Sequence, residues 1–135
     1  MPTSVLIADD DANIVLALRF LMEKEGYRVR AVSDGEAALA AIAEEPADLV
    51  LLDVMMPKRN GYDVCAAIRG DRRYDELCVV MLTAKGRDAE RRLGAEAGAD
   101  DYITKPFSTR EVLERIRRLL ARRPSGTGRE NADAG

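Results

Sequence analysis

Short apolar runs in this chain repeatedly end in a polar residue, and this pattern limits the possible folds more than any other feature. If such runs are neighbouring parallel strands, their carboxyl ends meet at one edge of a sheet, where ligands bind in open α/β folds. The polar residues would then surround one pocket. The runs span 5–8, 49–52, 79–82 and 102–104, and they are followed by Asp9 and Asp10, by Asp53, by Thr83, and by Lys105 and Pro106.

The stretches between these runs have apolar residues at helical spacing, so strands and helices alternate along the chain. Such alternation predicts βα units around a parallel sheet that helices cover on both faces. We expect five units in one α/β domain, with a further strand over 28–32. The first predicted helix spans about 12–25, with Asp11 as its cap and Gly26 as its stop. The helices predicted over 33–46 and 108–122 each begin with a Ser-x-x-Glu capping box. Two further helices are predicted over 61–69 and 87–97.

Length and composition favour a single domain. At 135 residues and 47% hydrophobic, the chain can bury one core and is too short for two ordinary domains. We predict a domain over 1–123 and a disordered tail over 124–135, which has no large apolar side chain. No apolar run approaches the ~18 residues of a membrane-spanning helix, and no signal peptide precedes the domain, so we expect a cytoplasmic protein. Cys65 and Cys78 lie among apolar neighbours without metal-ligand spacing, which predicts buried, reduced thiols.

The acidic residues at the strand ends predict a magnesium site that handles a phosphoryl group. Asp9, Asp10 and Asp53 would repel one another, and hard oxygen ligands beside a lysine and a threonine suit Mg²⁺ better than zinc or copper. A carboxylate can attack phosphorus when the charge on the phosphoryl oxygens is neutralised. Asp53 ends the central strand and is the predicted nucleophile. Mg²⁺ and Lys105 would neutralise the charge, and the Thr83 hydroxyl would donate a hydrogen bond.

Each of these residues alone has an ordinary explanation. An aspartate after a strand often caps a helix, a threonine can end a strand, and Lys-Pro can form a turn. The agreement of the strand ends with one another is what favours a site. The chain contains no histidine, which excludes a Ser-His-Asp triad, a histidine general base and a histidine metal site.

The last predicted helix is rich in arginine, which raises the question of nucleic-acid binding. It carries no aromatic residue for base stacking, and its apolar positions already describe a helix packed on a core. We therefore interpret the arginines as a solvated face and expect direct contact neither with nucleic acid nor with a membrane. They are Arg115, Arg117, Arg118, Arg122 and Arg123.

Four motifs, all in register with the strand ends, resemble those of the receiver domain of bacterial two-component response regulators. The resemblance covers about residues 4–122. It implies a flavodoxin-like domain of five βα units with the parallel strands in the order 2-1-3-4-5. The motifs span 7–11 (IADDD), 51–57 (LLDVMMP), 81–84 (MLTA) and 98–107 (GADDYITKPF).

The resemblance also implies a mechanism for the predicted site. Asp53 would accept a phosphoryl group from the phosphohistidine of a sensor histidine kinase or a histidine phosphotransfer protein. Mg²⁺ would be held by Asp10, Asp53 and the backbone carbonyl of Met55, with Asp9 acting largely through water. Lys105 would contact the phosphoryl group, positioned by a cis bond to the following proline. Such a domain is not an enzyme acting on a separate substrate; it catalyses at most its own phosphorylation and dephosphorylation.

Similarity to the family further assigns a conformational switch to two residues. Thr83 would move toward the new phosphoryl oxygens, and Tyr102 would turn into the space that it leaves. The altered surface of the fourth helix, fifth strand and fifth helix would then signal to a downstream protein. The alternative for Tyr102 is an ordinary strand aromatic. The loop at 57–61 is more basic than is usual in the family.

Charges on that same surface predict homodimerisation that depends on phosphorylation. A two-fold axis could place arginines of one copy against acidic residues of the other. This resembles the dimer face of the winged-helix transcription-factor subfamily. The alternative is a charged surface that pairs only within the chain or with water. The residues are Arg91, Asp100, Asp101, Glu111, Arg115, Arg117 and Arg118.

Other classes of protein fit less well. Mg²⁺-dependent phosphohydrolases with an aspartyl nucleophile resemble an Asp-x-Asp-Gly-Thr pattern after the first strand, whereas residues 9–12 here read DDDA. No phosphate-binding loop or Gly-x-Gly-x-x-Gly follows any strand, which disfavours a nucleotide-binding module. The open alternatives are a stand-alone receiver and the receiver fragment of a winged-helix DNA-binding regulator. Only 12 residues follow Arg123, so we expect any output domain to lie outside this chain.

Overall fold

A computed structural model of the protein describes residues 2–84 and 97–122. Its core is a five-stranded sheet in which every neighbouring pair is parallel, in the order β2-β1-β3-β4-β5. The predicted α/β class and strand order are confirmed. The strands are β1 (Ser4–Ala8), β2 (Arg28–Val32), β3 (Leu49–Asp53), β4 (Cys78–Ala84) and β5 (Asp101–Lys105).

Helices connect these strands much as the apolar spacing predicts. The predicted helix over 87–97 lies, except for Ala97, outside the described residues, as does the predicted tail over 124–135. The described helices are α1 (Ala12–Lys24), α2 (Gly35–Glu44), α3 (Gly61–Arg69), a 3₁₀ turn (Arg72–Tyr74) and Thr109–Arg122, which is called the last helix below.

The caps of these helices largely match the sequence. The carboxylate of Asp11 accepts hydrogen bonds from the backbone N–H groups of residues 13 and 14, so it caps α1 as predicted. The cap of α2 is Asp34, which accepts from the N–H of Ala37 at 2.7 Å, and not Ser33 as the capping-box pattern predicted. A carboxylate one residue later reaches the same turn and is the stronger acceptor. Ser108 caps the last helix through the N–H of Glu111, at 3.0 Å.

Side chains from the two faces of the sheet form two apolar clusters. One face, with Leu52 and Met81 at its centre, is covered by α2 and α3. The other, with Leu51 and Leu82, is covered by α1 and the last helix. Burial of β3 on both faces explains why that strand reads as a continuous apolar run. The sheet is thereby fixed between two helical layers, and its carboxyl edge is held in place.

The two cysteines belong to opposite clusters. Cys65 packs with the α2 and α3 side of the sheet and Cys78 with the α1 side. Both are buried and neither forms a disulfide, as predicted, and burial raises the pKa of the Cys65 thiol to about 11. Within the described ranges, no helix has the length and apolar character needed to cross a membrane.

Candidate functional site

The predicted site residues meet at the carboxyl edge of the sheet. Asp53 is the last residue of β3, Asp9 and Asp10 follow β1, and Lys105 is the last residue of β5. One carboxylate oxygen from each aspartate lies within 4.8 Å of the other two. Thr83 lies near the end of β4, the strand between β3 and β5. The strand order therefore brings together residues that are up to 96 positions apart in the chain.

Lys105 links the two buried carboxylates of the pocket. Its ammonium donates to Asp9 Oδ2 at 2.9 Å and to Asp53 Oδ1 at 3.3 Å. The Asp9 side chain is fully buried and that of Asp53 is 9% exposed, whereas the Lys105 side chain is 23% exposed. The peptide bond from Lys105 to Pro106 is cis, as the resemblance implied. The ammonium is thus already within hydrogen-bond distance of the predicted nucleophile.

Burial and like charge alter the acidity of Asp53. Loss of solvent raises the pKa of its carboxyl, the neighbouring Asp9 raises it further, and Lys105 and a hydrogen bond from the Met55 N–H lower it, leaving it at about 6. Burial lowers the pKa of Lys105, but its hydrogen bond to Asp9 and the charges of both carboxylates outweigh burial and raise it. Lys105 therefore stays protonated and charged. The Asp53 carboxyl, with its raised pKa, takes up a proton at a higher pH than an ordinary aspartate does.

Asp9 and Asp10 differ in how far their oxygens are already used. Asp9 accepts the backbone N–H of Asp11 on Oδ1, at 2.9 Å, and Lys105 on Oδ2. Asp10 is exposed, and its carboxylate has no partner among the described residues. An open carboxylate beside two buried ones is a donor set that suits a hard divalent cation. The residues present therefore fit Mg²⁺, with Asp10 and Asp53 better placed for direct contact than Asp9.

Thr83 has a buried hydroxyl without a hydrogen-bond partner among the described residues. Buried hydroxyls are normally hydrogen-bonded, so among these residues the Thr83 hydroxyl is available for a further hydrogen bond. Thr83 pairs in register with Thr104, and Met81 pairs with Tyr102. Because paired residues share a face, Thr83 and Tyr102 lie diagonally on the same side of the sheet. Tyr102 is half-buried against the α2 and α3 cluster.

Five of the seven charged residues of the predicted dimer face have partners within the chain. Arg115 contacts Asp101 at 2.9 Å and Glu111 at 3.5 Å. Asp100 accepts from Arg69 at 2.6 Å, and Arg117 pairs with a glutamate at the end of α1. Arg118 is exposed, and Arg91 lies outside the described residues. These intramolecular pairs are the alternative that the sequence left open.

Two glycines beside the pocket were not predicted from the sequence to belong to the site. A Cβ on Gly61 would lie 2.4 Å from the carbonyl oxygen of Asp53, and one on Gly35 would lie 2.1 Å from that of Arg59. Each glycine is the first residue of a helix, where glycine is otherwise unfavourable. A glycine at the first position of a helix was the signal that the sequence offered. Only the structure shows which backbone atoms lie against it.

A groove of about 370 Å³ leads from the carboxylates along α1 and β2. It is lined by Val15, Leu16 and Val32 as well as by Asp9 and Asp10. Leu16 and Phe20, one turn apart on α1, are about 70% exposed. The approach to the pocket is therefore partly apolar.

The strand order and the acidic pocket with its lysine define a flavodoxin-like α/β domain with a site at the switch of winding direction. The model of the response regulator receiver domain family matches residues 5–117. The chain belongs to this family.

Individual relatives agree with that assignment. The sensory transduction protein RegX3 of Mycolicibacterium smegmatis is 44% identical over 133 residues, which cover 98% of this chain and 55% of the relative. The chain thus spans about half the length of the curated relative that it matches. A putative response regulator from Chloroflexus aurantiacus, 37% identical, superposes with a TM-score of 0.87 over 90% of this chain and 100% of its own. The chemotaxis response regulator CheY4 of Vibrio cholerae, 28% identical, gives 0.83 over 88% and 99%.

Proposed function

We propose that this chain is a phosphoacceptor domain that receives a phosphoryl group on Asp53 and passes the signal on through a change of surface. The observation that carries the proposal is the contact of Lys105 with both Asp9 and Asp53. It sets a cation beside a buried carboxylate that ends the central strand. This combination suits transfer of a group with several negatively charged oxygens.

In the proposed reaction, a carboxylate oxygen of Asp53 attacks phosphorus and forms an acyl phosphate. The bond from phosphorus to the donor nitrogen of a phosphohistidine breaks, and its electron pair stays on the imidazole, which takes up a proton. The donor histidine must lie outside this chain, because the chain contains none. We propose a sensor histidine kinase or a histidine phosphotransfer protein as that partner, with both proteins in the cytoplasm.

Asp10, Asp53 and the Met55 carbonyl would hold Mg²⁺, with Asp9 acting through water. The bound ion would neutralise charge on the phosphoryl oxygens during transfer. Lys105 would keep its charge throughout and exchange its contact with the Asp53 carboxylate for one with a phosphoryl oxygen. The family is one of signalling domains, and we propose no activity on any substrate beyond the domain's own aspartyl phosphate.

Thr83 would respond to the modified aspartate. Its hydroxyl lacks a partner among the described residues, so a new phosphoryl oxygen would supply an acceptor for it. Movement of Thr83 would open space on the face that it shares with Tyr102. The surface of β5 and the last helix would then differ between the two states, and a downstream protein would bind one state more tightly.

The test is phosphorylation by a small donor. The protein is incubated with Mg²⁺ and acetyl phosphate, and the intact mass is measured. We expect one added phosphate in the parent and none in Asp53→Ala. Asp63→Ala, at an exposed aspartate in the first turn of α3, is the matched control and should be labelled like the parent. Equal labelling of Asp53→Ala would show that Asp53 is not the acceptor.

A second candidate concerns context. The curated relative is longer, since the match covers 55% of it, which favours a longer regulator in which a receiver like this one controls a further domain. Under this alternative the chain is the receiver part of a winged-helix DNA-binding regulator. The reading frame downstream of the codon for Gly135 distinguishes it from a stand-alone receiver.

A further inference from the structure

The loop between β3 and α3, residues 54–60, borders the pocket on one side. It carries Met55, whose N–H donates a hydrogen bond to the Asp53 carboxylate and whose carbonyl is the proposed backbone ligand for Mg²⁺. Residues 57–60 of this loop are exposed. Val54 is buried and Met56 packs against the α2 and α3 cluster, so it is the exposed outer part of the loop that depends on contacts with other elements.

A strained turn lies at the outer end of the loop. Lys58 has a φ of 69°, and the N–H of Arg59 donates to the carbonyl of Pro57 at 2.7 Å. A positive φ closed by a bond to the second residue back is the geometry of a γ-turn that is rare and strained. Such a conformation persists only where neighbouring structure holds it in place.

The first turn of α2 makes the contacts that hold this turn. The N–H of Gly35 donates to the same Pro57 carbonyl at 3.3 Å. The Lys58 ammonium lies 3.9 Å from the Asp34 carboxylate, and that carboxylate also caps α2. The segments that follow β2 and β3, the two strands on either side of β1, are thus joined by a shared acceptor and a pair of charges.

Gly35 is required at this contact for space and not for backbone conformation. Its φ lies outside the left-handed range, so any residue could adopt it, and alanine would favour the helix. A Cβ at this position would nevertheless lie 2.1 Å from the Arg59 carbonyl oxygen and 2.6 Å from the Arg59 Cβ. The obstacle on the carbonyl side is backbone, so the loop itself would have to move.

At the other end of the loop, Gly61 packs in the same way. Its N–H donates to the Val54 carbonyl at 2.8 Å, and a Cβ would meet the Asp53 carbonyl at 2.4 Å. The segment with Met55 is therefore held between two close backbone contacts. A shift of the Arg59 backbone should therefore also shift the backbone of Met55.

We propose that Gly35 is a positioning residue for the metal site, acting through the loop. The first turn of α2 fixes Pro57 and Arg59, and the loop in turn fixes the Met55 carbonyl and N–H beside Asp53. This inference rests on the proposed function. It adds that affinity for Mg²⁺ depends on a helix that contributes no ligand.

The test compares Gly35→Ala with the parent in two measurements. The first is the Mg²⁺ concentration that gives half of the maximal change in amide NMR shifts, with no phosphodonor present. The second is the Mg²⁺ dependence of labelling by acetyl phosphate. We expect both half-saturation concentrations to rise about ten-fold, as for loss of a group that orients a metal ligand. Labelling should approach the parental rate at saturating Mg²⁺.

Gly70→Ala is the matched control. Gly70 caps α3 in a right-handed conformation, and a Cβ there would lie 3.3 Å from its nearest neighbour, the carbonyl of Ala66. This variant should keep the parental half-saturation concentrations. Without metal, the Arg59 amide should exchange its hydrogen faster in Gly35→Ala than in Gly70→Ala, because its bond to Pro57 is loosened.

Asp34→Ala is a second variant that tests the same inference if Gly35→Ala does not fold. It removes the cap of α2 and the contact with Lys58 without adding any atom to the loop, and we expect a smaller rise, about two- to five-fold, in half-saturation. If either variant folds and its half-saturating Mg²⁺ concentration equals that of the parent, the inference is overturned. A labelling rate that stays below the parental rate even at saturating Mg²⁺ would also overturn it, because that result indicates general destabilisation. If the parent is not labelled at all, the proposed function fails instead.

Discussion

The ammonium of Lys105 lies 2.9 Å from the Oδ2 atom of Asp9, a carboxylate that is fully buried. The same nitrogen is 3.3 Å from Asp53 Oδ1. One cation therefore compensates two acidic groups that would otherwise repel each other in a pocket with little solvent. This arrangement links the stability of the unmodified protein to the chemistry that we propose for Asp53.

Lys105→Gln should impair both properties. Loss of the charge leaves Asp9 buried without its cation, and we expect a loss of about 1–3 kcal/mol in the free energy of unfolding. Labelling by acetyl phosphate should slow by about 10²-fold, since an electrostatic donor to the phosphoryl group is lost. Urea denaturation and intact mass at timed intervals measure the two effects. Lys24→Gln, at an exposed lysine in the last turn of α1, should leave both unchanged.

Asp53→Asn should stabilise the metal-free protein in a way that depends on pH. The folded-state pKa of Asp53 is raised from 3.8 to about 6, so its contribution is fully present below pH 3.8 and is lost as pH rises through about 6. Asparagine carries no such dependence. We expect the variant to exceed the parent by about 1–3 kcal/mol at neutral pH and by much less at acidic pH.

Urea denaturation in a chelating buffer at several pH values would measure this difference. Asp75→Asn, at an exposed aspartate beside the 3₁₀ turn, is the matched control and should follow the parent throughout. A gain for Asp53→Asn that is equal at every pH would contradict the assignment of the effect to the titration of this carboxyl.

Asp10→Asn should remove most of the response to Mg²⁺. The Asp10 carboxylate has no partner among the described residues, whereas both oxygens of Asp9 are already engaged. Mg²⁺ binds the folded state, so it should raise the melting temperature of the parent and hardly that of Asp10→Asn. The apo variant should be at least as stable as the parent, because like-charge repulsion falls. A thermal shift equal to that of the parent would place the metal elsewhere.

The sequence was most informative where burial dictates residue type. The ends of β1, β3 and β4 were recognisable because these strands are buried on both faces, so a polar residue such as Asp53 or Thr83 stands out at once. The strand order came from a family resemblance, and periodicity alone would have left it open. What the sequence could not supply was pairing between distant side chains. The partners of Asp100 and Arg117 are Arg69 and Glu25, and nothing local in the sequence indicates either one.

Close backbone approaches were equally hidden. A glycine at the start of α2 looks like a weak helix start, and only the approach of the loop that follows β3 makes Gly35 necessary. The N-cap error at Ser33 has a related cause. Two neighbouring residues could both cap, and the local pattern does not weigh a carboxylate against a hydroxyl.

Thr83→Val should separate stability from signalling. The Thr83 hydroxyl is buried without a partner among the described residues, so a methyl group in its place removes an unsatisfied polar atom. We expect the unmodified protein to gain up to about 1 kcal/mol, measured by urea denaturation. The same variant should lose the proposed contact with the phosphoryl group. The spectral changes that the parent shows with beryllofluoride and Mg²⁺ should therefore weaken at Tyr102.

Thr104→Val is the matched control, because Thr104 pairs in register with Thr83 on the neighbouring strand. It should keep the parental response of Tyr102 in NMR spectra. An intact response in Thr83→Val would separate Tyr102 from Thr83 and favour the simpler view of Tyr102 as a strand aromatic.

The homodimer predicted from the charges of β5 and the last helix must form in competition with pairing inside each chain. Asp101 and Arg115 already contact each other, yet their side chains remain 27% and 31% exposed, so each can accept a second partner. Exposed pairs contribute about 0–1 kcal/mol each, and the interface should therefore weaken at high salt.

We expect monomers in the unmodified state and dimers with beryllofluoride and Mg²⁺ at low salt. Sedimentation velocity with and without beryllofluoride and Mg²⁺, each at low and at high salt, would reveal them. Asp101→Arg should abolish the dimer, whereas Glu45→Arg, which breaks an intramolecular pair with Arg28 on β2 at the opposite edge of the sheet, should leave it intact. Monomers in every condition would rule out the dimer, and a dimer that survives Asp101→Arg would place the interface on another face.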